Sequence, residues 1–174
     1  IAVSNYQGTA QAISATVTAY NDASAYINET ISSFAQSGDQ GVAQSFGVIV
    51  DAQNNDAYLY VGGDASARAL AGNAGTAFAQ AANVYGYNYA DAYINGAVSA
   101  YADVPYGTAQ ARGVDVVSGH ADAYLYIGGS LAATANAGDN SVALAQGAYV
   151  NGYNYAGAYV YFGTNVTADA GINS

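Results

Sequence analysis

Chemistry requires side chains that can move a proton, attack a carbon or hold a metal, and this chain has few of them. Its only histidine is His120, with Ser118 before it and Asp122 after it. A nucleophilic triad needs a serine, a histidine and an acid that converge from separate parts of a rigid scaffold. Here all three are crowded into one predicted turn and strand start. In the matching motif upstream Asn54 stands in the place of His120, so the histidine reads as a variable turn residue. One histidine and no cysteine offer no zinc ligand set. Carboxylates are more numerous: all but Glu29 of the 12 acidic residues are aspartates. Asp56, Asp91 and Asp122 each open an Asp-Ala-Tyr triplet, and the sequence places them at equivalent positions. Stacked like charges repel unless they are separated or bridged by a hard cation. These three are therefore the candidates for a structural calcium site, although no EF-hand loop or glycine-rich aspartate nonapeptide accompanies them. Gly72-Asn73-Ala74-Gly75 lacks the strand-to-helix setting of a phosphate loop and reads as a turn. No other cofactor is expected, and the chain does not read as an enzyme.

The composition narrows the partners. Charged residues are 8% of the chain, against roughly 25% in an ordinary soluble domain. Lysine is absent, Arg68 and Arg112 are the only strong cations, and the net charge is −10. Phosphate backbones need a dense basic surface, so no nucleic acid is expected as a partner. Anionic membrane surfaces are disfavoured for the same reason. No apolar run approaches the ~18 residues of a membrane helix, so no membrane insertion is expected. Disorder is countered by 52% apolar residues and 18 tyrosines. The chain begins at Ile1 without methionine, which fits a processed, secreted or cell-surface protein. Asn28-Glu29-Thr30 and Asn165-Val166-Thr167 make Asn28 and Asn165 glycosylation candidates.

The elements that position these residues are repeated. Asp122-Ala123-Tyr124-Leu125-Tyr126-Ile127-Gly128-Gly129 restates Asp56-Ala57-Tyr58-Leu59-Tyr60-Val61-Gly62-Gly63. Residues 41–103 lie on 107–169 without a gap and with about half of the positions identical, and 8–36 lie on 75–103. The domain at 8–174 thus divides into copies near 8–40, 41–74, 75–106, 107–140 and 141–174, which alternate between two types. Residues 1–7 form an N-terminal extension.

Within a copy the hydrophobic period is two, the signature of strands. Ala123, Leu125 and Ile127 share one face, and Asp122, Tyr124 and Tyr126 the other. The stretches 108–117 and 142–150 read as a further strand whose apolar parity shifts near Gly113 or Gly147, as at a β-bulge. Alanine favours helices, but recurrent Gly and Asn and the lack of Lys and Glu argue against them here. The fold class is all-β, with two architectures open. Equal spacing favours a β-solenoid, each copy being one coil of three short strands. Gly62-Gly63, Asn95-Gly96 and Gly128-Gly129, read as tight turns at positive φ, favour an antiparallel sandwich or meander of repeated hairpins.

In either case the inner face is mostly alanine and the outer face rich in tyrosine. Stacked copies would align Tyr26, Tyr58, Tyr93, Tyr124 and Tyr159 in an aromatic column, and an extended aromatic surface marks a contact surface. Ile1, Ala2 and Val3 precede the first copy with no evident repeat partner, which makes them a candidate donor strand for a neighbouring subunit. Open ends without lysine or proline gatekeepers invite edge pairing with another copy.

The chain resembles secreted fibre-forming repeat proteins of the curlin functional-amyloid type. The likeness lies in abundant Gly, Ala, Asn, Gln and Tyr, acidic charge, and five tandem copies over residues 8–174. Copies of about 33 residues and the lack of a regular Gln/Asn pair in each depart from that pattern. Asn140-Ser141-Val142-Ala143-Leu144-Ala145-Gln146-Gly147 is similar to the β-roll head repeats of trimeric autotransporter adhesins. Neither resemblance supplies a site residue. The expectation is the structural subunit of an extracellular filament or biofilm-matrix fibre, a homopolymer joined through strand edges and Tyr-rich surfaces. The alternative is a secreted adhesin that binds a glycan, ice or another surface.

Overall fold

The computed structural model describes residues 1–138, 141–152, 158–163 and 165–173, with the backbone alone at 158–160, 172 and 173. All regular elements among them are strands. After β1 (Ala2–Val3), the first coil holds β2 (Thr9–Ala19), β3 (Ala23–Ile27) and β4 (Ile31–Gln36). The second holds β5 (Val42–Ala52), β6 (Ala57–Val61) and β7 (Ala65–Leu70), the third β8 (Gly75–Gly86), β9 (Ala90–Ile94) and β10 (Val98–Val104). The fourth holds β11 (Gly107–Ser118), β12 (Ala123–Ile127) and β13 (Leu131–Gly138), the fifth β14 (Val142–Gly152), β15 (Ala158–Phe162) and β16 (Val166–Asn173). Like strands of successive coils pair in parallel, in the orders β1-β4-β7-β10-β13-β16, β14-β11-β8-β5-β2 and β15-β12-β9-β6-β3. This is a β-solenoid of five coils. The hairpin alternative fails because hairpins would make chain neighbours pair antiparallel.

The double-glycine steps are accordingly corners between sheets and not hairpin turns. Their glycines serve close approach: a Cβ on Gly62 would lie 2.4 Å from the Asn28 carbonyl oxygen, and one on Gly128 2.5 Å from that of Asn95. Among the described glycines only Gly107 has a positive φ, so the left-handed backbone expected at the double glycines is not the reason for them.

The long first strand of each coil bends in its middle. In β5 the inward residues are Ala43, Ser45 and Gly47, then Val48, Val50 and Ala52. The ladder between β8 and β11 steps over Gly113, pairing Arg112 with Gln80 and then Val114 with Ala82. The parity shift read near Gly113 and Gly147 is this bend, and it divides the core in two. Alanines of the first arm (Ala43, Ala77, Ala79, Ala109) share a cluster with alanines of the β4 sheet (Ala35, Ala67, Ala100, Ala133). The second arm and the β6 sheet enclose the larger side chains, among them Val48, Leu59, Val84, Ile94 and Leu125. A buried leucine contributes about 1.5–3 kcal/mol and a methyl about 0.8 kcal/mol, so the second compartment carries most of the hydrophobic stabilisation per residue. The alanine compartment lets two backbones approach closely. It tolerates a hydroxyl pair, Ser33 Oγ to Ser45 Oγ at 2.6 Å.

The N-terminal segment does have a repeat partner. Ala2 pairs with Ala35 and Val3 with Gln36, and the Ser4 N–H donates to the Gln36 carbonyl at 2.9 Å. Gln7 and Gln40 share a φ of 57°, and the Gln7 side-chain amide donates to that of Gln40 at 2.7 Å. Residues 1–7 are thus the closing third of a coil, paired to β4 of their own chain.

Candidate functional site

The outward face of the β6 sheet is aromatic. Two register rows run along it: Ser24, Tyr58, Asp91, Tyr124, Tyr159, and Tyr26, Tyr60, Tyr93, Tyr126, Tyr161. Apart from Tyr93–Tyr126 at 6.3 Å, the described ring contacts do not run straight along either row. They zigzag between them, with centroids 5.2 Å apart for Tyr26–Tyr58, 5.7 Å for Tyr58–Tyr93, 5.2 Å for Tyr93–Tyr124 and 5.6 Å for Tyr124–Tyr161. Four of the five tyrosines expected in a column are in this chain of contacts, and Tyr161 closes it. Tyr159 pairs with Tyr124 through its backbone, and its side chain lies outside the described residues. Burial raises the Tyr58 and Tyr93 phenols, with Tyr26 adding to it for Tyr58 and Asp91 for Tyr93.

The equivalence of Asp56, Asp91 and Asp122 is corrected by the register. Ala90, not Ala92, pairs with Ala57 and Ala123, so Asp91 lies between Tyr58 and Tyr124 while Tyr89 takes the place of the other two aspartates. The repeated Asp-Ala-Tyr triplet is out of step by two residues in the third coil. Asp91 still feels both acids: burial chiefly, then Asp56 and Asp122, hold its carboxyl above the usual range. Asp56 Oδ1 is occupied by the Tyr89 N–H at 3.3 Å. Among the described residues no group of three or more His, Asp or Glu could hold a metal ion.

The use of these aspartates went unread in the sequence. Asp39 Oδ1 accepts the Asn73 N–H at 2.9 Å, Asp64 Oδ1 the Ala97 N–H at 2.7 Å, and Asp22 Oδ1 the Asp56 N–H at 3.3 Å. At these corners a short carboxylate satisfies a backbone donor of the next coil, which favours aspartate over glutamate there. Asn88 continues the corner by donating to Asn55 Oδ1 at 2.7 Å.

His120 and Ser118 do not form a nucleophilic pair. Ser118 is fully buried, its hydroxyl donates to the Asn88 carbonyl, and its Oγ accepts the Ala121 N–H at 3.0 Å. His120 packs edge-on against Tyr87, with centroids 4.2 Å apart. Asn28 and Asn165 are both exposed.

A second polar centre was not foreseen. Gln80 and Asp115 are outward residues on either side of the bend, yet they are only 5% and 9% exposed. Gln80 Nε2 donates to Asp115 Oδ2 at 2.9 Å, and Arg112 Nη1 lies 3.5 Å from the same oxygen. Burial holds the Asp115 carboxyl above its usual range, against the lowering pull of Arg112 and of the Gln80 hydrogen bond. The Arg112 guanidinium also lies over the Phe78 ring at 5.7 Å, as Arg68 lies over Tyr101 at 5.2 Å. Compared with protein-family models, curated proteins and solved structures, the chain matches none.

Proposed function

We propose that this protein is the structural subunit of an extracellular filament, in which copies join end to end along the solenoid axis. One observation carries the reading. Among the described residues, every exposed aliphatic side chain larger than alanine lies at an end of the stack: Ile1, Val3 and Ile13 at one end, Val142, Leu144 and Val166 at the other. The middle coils expose only tyrosine among their large apolar residues. The same ends present the outer edges of β2 and β3, and of β14, β15 and β16. An unpaired parallel edge bordered by apolar side chains is a template for another chain. A second copy would continue the parallel register, and ladders such as Gln11 Nε2 to Gln44 Oε1 at 3.1 Å could extend with it. The acidic charge keeps lateral contacts between filaments weak. Chemistry plays no part in this reading: the Ser118 hydroxyl is engaged by backbone groups, and Asp22, Asp39, Asp56 and Asp64 serve the corners.

Negative-stain electron microscopy of the purified chain tests it. Uniform filaments one solenoid wide are expected across a range of concentration and pH. Monodisperse particles under all conditions would reject the reading and favour a surface-binding adhesin instead.

A further inference from the structure

The bend in the long strands creates a feature that the filament reading does not use. In a flat strand, residues three apart point to opposite faces. At the bend Arg112 and Asp115 are three apart, both outward, and in contact, and Gln80 of the neighbouring coil reaches the same carboxylate. The two arms therefore fold toward the outside. The outer surface is concave there, and a furrow runs along the solenoid axis. Between the third and fifth coils it opens into a cleft of about 310 Å³, lined by Asn83, Arg112, Asp115, Val117, Gln146 and Tyr149. A cleft of about 230 Å³ adjoins it and shares Arg112 and Gln146. Another of about 490 Å³ adjoins it on the other side and shares Asn83.

We propose that this furrow binds a neutral glycan chain, with one sugar ring seated at Asp115 between Arg112, Asn83, Gln146 and Tyr149.

The chemistry of the wall selects this class. Asp115 Oδ2 is held by Gln80 and Arg112, while Oδ1 is buried and accepts no hydrogen bond from any described residue. Oδ1 is closed to a water-sized atom, so Asp115 acts on a ligand through Arg112, whose guanidinium it holds at the cleft wall. Asn83 and Gln146 each carry an amide that donates and accepts, and Arg112 supplies further donors for ring and hydroxyl oxygens. Tyr149 and Val117 offer an apolar wall for the C–H face of a sugar ring. The charges of Arg112 and Asp115 offset each other, so a charged ligand gains no net attraction from the cleft. An anion also meets a chain of charge −10. A metal ion would find a single carboxylate, which is too few for calcium. A polyhydroxylated neutral ligand uses the amides, the guanidinium and the tyrosine wall together. The clefts at Tyr85 and at Asp115 follow one another along the axis, and the cleft at Gln110 lies beside the latter on the first arm of the same two coils, so the wall suits an oligosaccharide better than a single sugar.

The test titrates the whole chain with cellohexaose, chitohexaose and maltohexaose, with hexagalacturonate as the charged counterpart, using saturation-transfer NMR and calorimetry. At least one neutral hexamer is expected to bind, and hexagalacturonate is not. Asp115→Asn and Tyr149→Ala are each expected to weaken binding about tenfold or more. Asp91→Asn, on the tyrosine face, is expected to leave it unchanged. Circular dichroism confirms that each variant is folded, and Tyr149, on the exposed rim, provides a readout if the Asp115 variant does not fold. Filament formation by Asp115→Asn is expected to persist, which separates this site from the assembly surfaces. Absence of binding to all three neutral hexamers, equal binding of hexagalacturonate, or equal loss in Asp91→Asn would overturn the proposal.

Discussion

Tyr58 and Asp91 face each other as register partners on adjacent coils, yet the Tyr58 ring packs on Tyr93, one diagonal step away at 5.7 Å. A carboxylate offers a ring no apolar surface, and the next tyrosine along the strand is within reach of an aromatic side chain. The third coil thus passes the aromatic contact from one register row to the other, and the fourth passes it back through Tyr124. The stack is continuous because it is diagonal.

Tyr93 is the node of that path, touching Tyr58, Tyr124 and Tyr126. Each aromatic pair contributes about 0.5–1.5 kcal/mol beyond area burial, so Tyr93→Ala is expected to cost about 2–3 kcal/mol. Tyr26→Ala, at the end of the path, removes one such contact and is expected to cost about 1 kcal/mol. Denaturant unfolding of the two variants measures the difference. Equal costs would contradict a contribution from the stack at Tyr93.

Asp91 and Asp115 both have carboxyls raised chiefly by burial. A raised acid binds its proton more tightly folded than unfolded, so its charge penalises the fold above the folded value. As pH falls from neutral through that value the penalty is relieved, and the relief is complete below the ordinary carboxylate range. The melting temperature is therefore expected to rise on mild acidification. The Asp91→Asn and Asp115→Asn variants, with no charge to lose, are expected to show flatter profiles. A melting temperature that falls steadily from neutral pH in the parent chain would contradict this.

Gly128 and Gly171 separate two uses of glycine. A Cβ on Gly128 would meet the Asn95 carbonyl oxygen at 2.5 Å, whereas one on Gly171 first meets the Asn136 side chain at 3.4 Å. Gly128→Ala must push two stacked backbones apart and is expected to cost about 2–3 kcal/mol. Gly171→Ala is expected to be neutral or slightly stabilising, since glycine weakens a strand interior. Thermal melts of the pair give the contrast directly.

The double glycines also mark where the sequence misleads. A Gly-Gly pair satisfies a tight hairpin and a close-packed corner equally well, because both exclude a Cβ, and only the pairing of distant strands separates them. The coil was legible because nearly equal spacing and a period of two recur five times, and the bend was legible as the parity shift at Gly113. The register of Asp91 was not. The sequence matched Asp-Ala-Tyr triplets, whereas the ladder matches Ala90 to Ala57 and places a tyrosine opposite the aspartate. The furrow was hidden for a related reason. A parity shift announces a bend but not its direction, and only the contact of Arg112 with Asp115 shows the outer face to be concave.

β1 gives assembly its sharpest test. The β4 sheet has six strands and the other two have five, because β1 covers the outer edge of β4. A copy that sets β14 on β2 and β15 on β3 must bring its β16 to the edge of β4, where β1 already lies. In the proposed filament β1 therefore competes with the incoming β16. It is a short competitor, held at Ala2 and Val3 with the Ser4 and Gln7 amides beyond. Deleting Ile1 to Asn5 is expected to leave the domain folded and to shorten the lag before filaments grow, followed by light scattering and microscopy. A donor strand acting between subunits predicts the reverse, loss of polymer in the same variant. Loss of filaments from a folded deletion variant would restore the donor role of Ile1, Ala2 and Val3 and remove the competition.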